Sequence, residues 1–277
     1  MPESALARRR FLSASAAACG AADLRTAQAA PAAILPDLGI QIYSLRGYPV
    51  DVALQHVKDL GLRLVEFYPK MFPITDDTAA IAAMRRKLAD LGLAISGFGV
   101  VHFTNDAAAN RRVFDFLKAA GIRIVGADPD PDSFASLDDL VKEFDIRVAI
   151  HNHGPTHRYN KVLDVLSAIE RHDRRIGACA DLGHYIRSGE KPVDVIRALE
   201  GRLYGVHLKD FATMEDKAQG VILGQGHIDL PAVFAALERA GFPADGALSI
   251  EYEEKPQDPL ADLRACIAAA RTARAAT

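Results

Sequence analysis

Eight β-rich runs alternating with eight amphipathic segments predict an α/β fold, a single (β/α)8 TIM barrel, over residues 37–275. Two further observations agree. Helix-like segments end in Leu-Gly or Ala-Gly just before a β-rich run, at Leu60-Gly61, Leu91-Gly92 and Ala120-Gly121. A glycine there supplies the left-handed residue that closes a helix. Several β-rich runs also end on histidine or carboxylate residues, and a barrel of this kind carries its chemistry at the C-terminal ends of its strands.

Taken in order, strands are expected at Gly39–Tyr43, Leu62–Phe67, Leu93–Phe98, Ile122–Gly126, Ile146–His151, Ile176–Ala180, Leu203–Leu208 and Ala247–Tyr252. Apolar residues recur at three- and four-residue spacing over Val52–Leu60, Thr78–Leu91, Arg111–Ala120, Leu137–Phe144, Lys161–Arg171, Val193–Leu199, Leu230–Ala240 and Leu260–Arg271, the period of a helix lying on a core. No linker divides this region, so one domain is expected.

The balance of charge narrows the function. The chain has 277 residues, with 33 Lys+Arg against 36 Asp+Glu and a net charge of −3. Such a surface has no general attraction for nucleic acid or anionic lipid. Cys19, Cys179 and Cys266 are far apart and odd in number, which argues against a disulfide framework or a thiolate metal site. Cys179 lies within an apolar run and reads as core.

Residues 1–30 do not read as barrel. Arg8-Arg9-Arg10-Phe11-Leu12 precedes an alanine-rich stretch ending in Ala27-Gln28-Ala29, similar to a twin-arginine export signal with its cleavage site. The expected destination is the periplasm or the exterior. Cys19 lacks the leucine expected at a lipidation site. Elsewhere no run approaches the ~20 apolar residues of a membrane span.

The chemistry gathers at strand ends. Ala178-Cys-Ala-Asp-Leu-Gly-His-Tyr185 delivers Asp181 and, one turn later, His184. Ala149-Ile-His-Asn-His-Gly154 ends on His151 and His153, which alternation places on one side. Tyr204-Gly-Val-His-Leu-Lys-Asp210 ends on His207, Lys209 and Asp210, and Leu248-Ser-Ile-Glu251 on Glu251. Glu66 ends the second strand and His102 follows the third. Mixed imidazole and carboxylate donors suit one divalent ion, Zn, Mn, Co or Fe. Each residue also has a plainer reading. A strand-end carboxylate such as Asp210 caps a turn, a lone histidine is a hydrogen-bonded structural residue, and Lys209 is a solvated strand-end lysine. His157 and His172 read as surface. The loop Leu223-Gly-Gln-Gly-His-Ile228 offers backbone N–H groups to a substrate oxyanion, or is a plain turn.

Gly39-Ile-Gln-Ile-Tyr-Ser-Leu-Arg46, Val65-Glu-Phe67, His151-Asn-His-Gly154, Asp181-Leu-Gly-His184, His207-Leu-Lys-Asp210, Leu223-Gly-Gln-Gly226 and Ile250-Glu251 occur in this order. Together they resemble the sugar phosphate isomerase/epimerase family, the xylose isomerase-like barrels. The resemblance implies one divalent metal and a small carbohydrate or polyol substrate. It implies Asp181, His207 and Glu251 as ligands, with a fourth from the fifth strand, assigned to His151. It places His184 against substrate. Glu66, His153 and Lys209 complete the candidate catalytic set. Self-association as a homo-oligomer is left open.

One departure bears on the reaction. Epimerases of that family pair a fifth-strand glutamate with the eighth-strand glutamate, whereas His151-Asn-His153 stands here and the loop to Arg158 carries no carboxylate. Proton abstraction next to a carbonyl still needs only a metal and one base, with His153 the candidate base. That chemistry covers aldose–ketose isomerisation, and it covers elimination or hydration on keto-sugars or 3-keto-glycosides. Two other classes compete. Apurinic endonucleases share the barrel but need a basic DNA-facing surface. A non-catalytic sugar-binding barrel would hold no metal.

Overall fold

The computed structural model describes residues 35–277, so the arginine-rich segment read as an export signal lies outside the described residues. Eight parallel strands close into a barrel in sequence order: β1 (Gly39–Gln41), β2 (Leu64–Phe67), β3 (Ala94–Phe103), β4 (Ile124–Pro129), β5 (Arg147–His151), β6 (Ile176–Asp181), β7 (Leu203–Leu208) and β8 (Ala247–Ile250). Around them run α1 (Val50–Asp59), α2 (Thr78–Leu91), α3 (Ala107–Ala120), α4 (Phe134–Phe144), α5 (Val162–Ile169), α6 (Leu182–Arg187), α7 (Pro192–Ala198), α8 (Leu230–Arg239) and α9 (Leu260–Ala275). The (β/α)8 reading of the sequence holds.

Local chemistry explains most boundaries. Asp77 and Asp106 accept backbone N–H groups of the first turns of α2 and α3, and Gly92 and Gly121 end those helices in the left-handed conformation. Strand interiors are apolar on both faces, with Ile40, Val65, Phe98, Val125, Val148, Ala178, Val206 and Leu248 fully buried, as a sheet covered by helices requires. Cys179 is buried among them. No helix among the described residues is long and apolar enough to cross a membrane.

Three boundaries differ from expectation. β1 stops early because the Gln41 side chain accepts the Tyr43 N–H at 3.2 Å and turns the chain into a 3-10 helix, Ile42–Leu45. β3 runs past Phe98 to Phe103, so His102 lies within the strand and not after it. Asp181 both ends β6 and accepts the His184 N–H at 2.8 Å, which starts the separate short helix α6. A two-stranded antiparallel ribbon, Asp210–Phe211 with Gly220–Val221, lies beyond β7.

Candidate functional site

Strand register assembles the site. Asp181 of β6 and Ser249 of β8 both pair with His207 of β7, and His151 of β5 pairs with Cys179. The Glu251 N–H donates to the Leu208 carbonyl at 3.1 Å, extending that pattern one residue past β8. One donor atom each from His151, Asp181, His207 and Glu251 therefore lies within 4.8 Å of the other three, all buried. His207 Nδ1 is 3.1 Å from His151 Nε2, 3.1 Å from Glu251 Oε2 and 3.7 Å from Asp181 Oδ2.

Beneath this floor lies Glu66. Its Oε1 accepts the His207 Nε2–H at 3.0 Å, and its Oε2 accepts the Ser249 hydroxyl at 2.6 Å. Space for its carboxyl comes from Gly97, where a Cβ would lie 3.3 Å from the Glu66 Cγ. Both oxygens are occupied and the side chain does not line the cavity above. The sequence places Glu66 in the catalytic set; in the structure its carboxylate holds His207 Nε2, an arrangement that leaves Nδ1 toward the other donors. Burial opposes a second proton on His207, but the acidic groups around it, Cys179, Glu66 and Glu251, outweigh burial and raise it well above its usual value.

Lys209 is no solvated strand-end residue. Its Nζ lies 2.8 Å from Asp181 Oδ2, 2.8 Å from Glu251 Oε2 and 2.5 Å from Glu253 Oε1, with the residue only 3% exposed. Its stem crosses Gly183, where a Cβ would meet Lys209 Cγ at 2.6 Å, which is why Asp181-Leu-Gly-His184 has glycine at that place. Burial opposes the ammonium, but Asp181, Glu251 and Glu253 raise Lys209 well above its usual value. Burial also opposes the Glu251 carboxylate, yet Lys209 and His207 bring it down to about 2. Asp181 goes the same way, held well below its usual value by His184 and Lys209 against its burial.

Above the floor is a cavity of about 330 Å³ whose lining changes in kind around the barrel. Strands β5 to β8 and the segments after them contribute His151, His153, His184, Lys209, Glu251 and Glu253; β1 to β3 and the segments after them contribute Gln41, Tyr43, Tyr68, Pro69 and Val100. Tyr43 and Tyr68 meet edge to face at 5.2 Å. The His153 ring lies 4.8 Å from His151 and 5.9 Å from His184. Burial, then the neighbouring His151 and His157, depress His153 to about 3. Burial likewise depresses His184 well below its usual value. Asn152, between the two histidines, grips β6 by accepting the Asp181 N–H at 2.8 Å and donating to the Asp181 carbonyl at 3.0 Å.

Several sequence expectations are corrected here. His157 is half-buried against His153, with ring centroids 4.2 Å apart, and His172 is half-buried on Phe134 with Nδ1 2.8 Å from Asp138; neither is a plain surface residue. His102 sits between Asp128 and Asp130 and does not line the cavity. The loop at residues 223–228 has no amides to offer a substrate oxyanion. Gly224, Gly226, His227 and Ile228 all donate to the Asp210 carboxylate, and the Gln225 N–H goes to the Ile222 carbonyl. Asp210, with the Phe211 N–H as well, is thus the organiser of that loop. Sequence reasoning missed Tyr43, Tyr68, Asn152 and Glu253. Glu253 alone carried a signal, since it is two residues beyond Glu251 and on the same side of an extended segment.

A family model described as xylose isomerase-like TIM barrel matches residues 131–271. Inosose dehydratase of Geobacillus thermodenitrificans (strain NG80-2) is 30% identical over 141 residues, covering 45% of this chain and 46% of that protein. The 3-oxo-isoapionate decarboxylase of Pectobacterium atrosepticum is 25% identical over 167 residues, covering 56% of this chain and 60% of that protein. The chain thus spans about half the length of the curated relatives it matches. The structure of 3-keto-D-glucoside 4-epimerase from E. coli superposes with a TM-score of 0.67 over 86% of this chain and 99% of that one, at 15% identity, a likeness of fold. With the closed barrel and the family match over half its length, the chain belongs to the xylose isomerase-like TIM barrel family.

Proposed function

We propose that this chain is a divalent-metal-dependent enzyme of the sugar isomerase/epimerase type, removing a proton next to a carbonyl of a small sugar or polyol derivative. The observation that carries the reading is the convergence of His151, Asp181, His207 and Glu251 on the floor of a cavity at the C-terminal mouth of the barrel. The donors fit an ion. Two imidazole nitrogens 3.1 Å apart face each other, and only a proton or a cation between them relieves their lone pairs. A buried set of two nitrogens and two carboxylate oxygens suits Zn, Mn, Co or Fe. When bound, such an ion acts as a Lewis acid that steadies negative charge growing on a carbonyl oxygen.

The chain's own residues supply the rest. Tyr43 and Tyr68 offer an aromatic face to the apolar side of a sugar ring. His184 and His153 line the cavity on the side that a sugar's hydroxyls would meet, and their Nδ1 atoms are buried without a hydrogen-bond partner. Lys209 brings a fixed positive charge to the cavity wall. His153 is the base in this reading: its low proton affinity keeps one ring nitrogen unprotonated at mild pH, at the expense of basic strength.

Elimination of water is the second reading, in keeping with the name of the inosose dehydratase relative. One observation favours it. Among the described residues the carboxylates that line the cavity above Asp181 are Glu251 and Glu253, both on the same strand end, so no carboxylate faces Glu251 from β5 to complete a two-glutamate epimerase. Incubating the Mn²⁺-loaded chain in D₂O with inososes, 3-keto-glucosides and ketohexoses tests both readings by NMR. Deuterium entering the carbon next to the carbonyl supports the proposal. Product that keeps its oxygens means isomerisation, and product that loses water means elimination. Absence of exchange with every sugar by a metal-loaded chain would sink it.

A further inference from the structure

We propose that Lys209 competes with the divalent ion for its two carboxylates, and that Glu253 draws the lysine off them, so that this pair sets how tightly the ion is held. The inference rests on the metal reading above. Lys209 Nζ stands 2.8 Å from Asp181 Oδ2 and 2.8 Å from Glu251 Oε2, the same two oxygens that face His207 Nδ1. An ammonium and a dication cannot both take those lone pairs at full strength. Asp181, Glu251 and Glu253 against Lys209 leave a double negative charge, which a divalent cation neutralises.

The Lys209 stem packs across Gly183 and the residue is only 3% exposed, so the ammonium depends on nearby carboxylates and not on bulk water. Separating a buried ion pair is expensive unless the released charge finds another partner. Glu253 is that partner. Its Oε1 is already 2.5 Å from Lys209 Nζ, and it is the one carboxylate among the described contacts of Lys209 that stands outside the four-residue donor set. Its backbone is held from behind, where Arg46 donates to the Glu253 carbonyl and lies over the Tyr43 ring at 4.5 Å. Metal entry thus trades two lysine contacts for one that is already made. Glu253 is a positioning residue that acts through Lys209.

Titrating the EDTA-stripped full chain with Mn²⁺ and with Zn²⁺ by calorimetry tests this. Lys209→Met is expected to bind either ion at least ~10-fold more tightly, because the competitor is gone. Its metal-free form should melt lower and gain more on adding ion than the unaltered chain does. Glu253→Gln is expected to bind ~10-fold more weakly. Losing one negative charge weakens binding in any background, so the part of that effect that disappears in the Lys209→Met background is the part transmitted through the lysine. Weaker or equal binding by Lys209→Met overturns the proposal and makes the lysine a brace for its carboxylates. If Lys209→Met fails to fold, unchanged affinity in Glu253→Gln overturns it instead. An unaltered chain that binds neither ion overturns the metal reading as well.

Discussion

Glu66 on β2 holds His207 on β7 through a 3.0 Å hydrogen bond that passes beneath the floor of the cavity. The bond spends Nε2 and leaves Nδ1 for the donor cluster, so a residue outside the cavity decides which nitrogen faces it. Glu66→Gln keeps an acceptor but removes the charge. Metal affinity should fall by about 10- to 100-fold with the fold intact by circular dichroism. Equal affinity would mean that His207 is oriented by its strand alone.

Asp210 gathers five backbone N–H groups on two oxygens. Asparagine can serve one side of that set but turns an NH₂ toward the other. Asp210→Asn should cost about 3 kcal/mol in urea unfolding, and the Gly224 and Gly226 amides should exchange faster with solvent. A loss below ~0.5 kcal/mol would show the loop to be held by other means.

The pH dependence of stability has a definite sign. His153 takes a proton near 6.5 when unfolded and only near 3 when folded. Between those values the unfolded chain binds more protons, so lowering pH through that window removes stability, by up to ~1.4 kcal/mol per unit from this one group. In EDTA, His153→Asn should show a shallower decline from pH 6.5 downward. An unchanged slope would place the acid sensitivity elsewhere.

Gly183 leaves no room for a methyl group, with Lys209 Cγ at 2.6 Å and Phe211 Cε2 at 2.8 Å from its would-be Cβ. Gly183→Ala should destabilise the chain by ~1–3 kcal/mol in thermal unfolding. The displaced stem should also alter Mn²⁺ affinity, which an ordinary packing defect far from the site would leave alone.

Residues 1–30 are proposed as an export signal. A chain beginning at Pro31 should melt within a degree or two of the full chain, because an export signal is removed from the mature protein, whose barrel must be stable without it. Fusing residues 1–30 to a reporter should carry it out of the cytoplasm through the twin-arginine route, and replacing Arg8, Arg9 and Arg10 by Lys should stop it.

The barrel is legible in the sequence because local signals agree with one another. Gly92 and Gly121 close helices just where an apolar run begins, and each run is long enough for one strand. The meeting of Asp181, His207 and Glu251 is legible for a related reason: each ends a strand, and parallel strands in register bring their ends to one rim. What is hidden depends on side-chain direction across long separations. Glu66 and His207 are 141 residues apart, and nothing local tells a strand-end glutamate that faces the cavity from one that supports it. Lys209 is likewise ambiguous until Gly183 is seen to hold its stem inward. The glycines at 224 and 226 suggest free amides, and only the fold shows that Asp210 has claimed them.

The cavity's lining differs in kind around the barrel mouth, with Tyr43, Tyr68, Pro69, Val100 and the amide of Gln41 on the β1–β3 side and imidazole, ammonium and carboxylate on the β5–β8 side. For a ring substrate of the proposed kind, that difference selects which face lies on the tyrosines while the carbonyl reaches the floor. A ring and its mirror image meet those two contacts equally well. Handedness therefore has to come from a third contact, and His153, His184 and Lys209 are the lining side chains placed to make it.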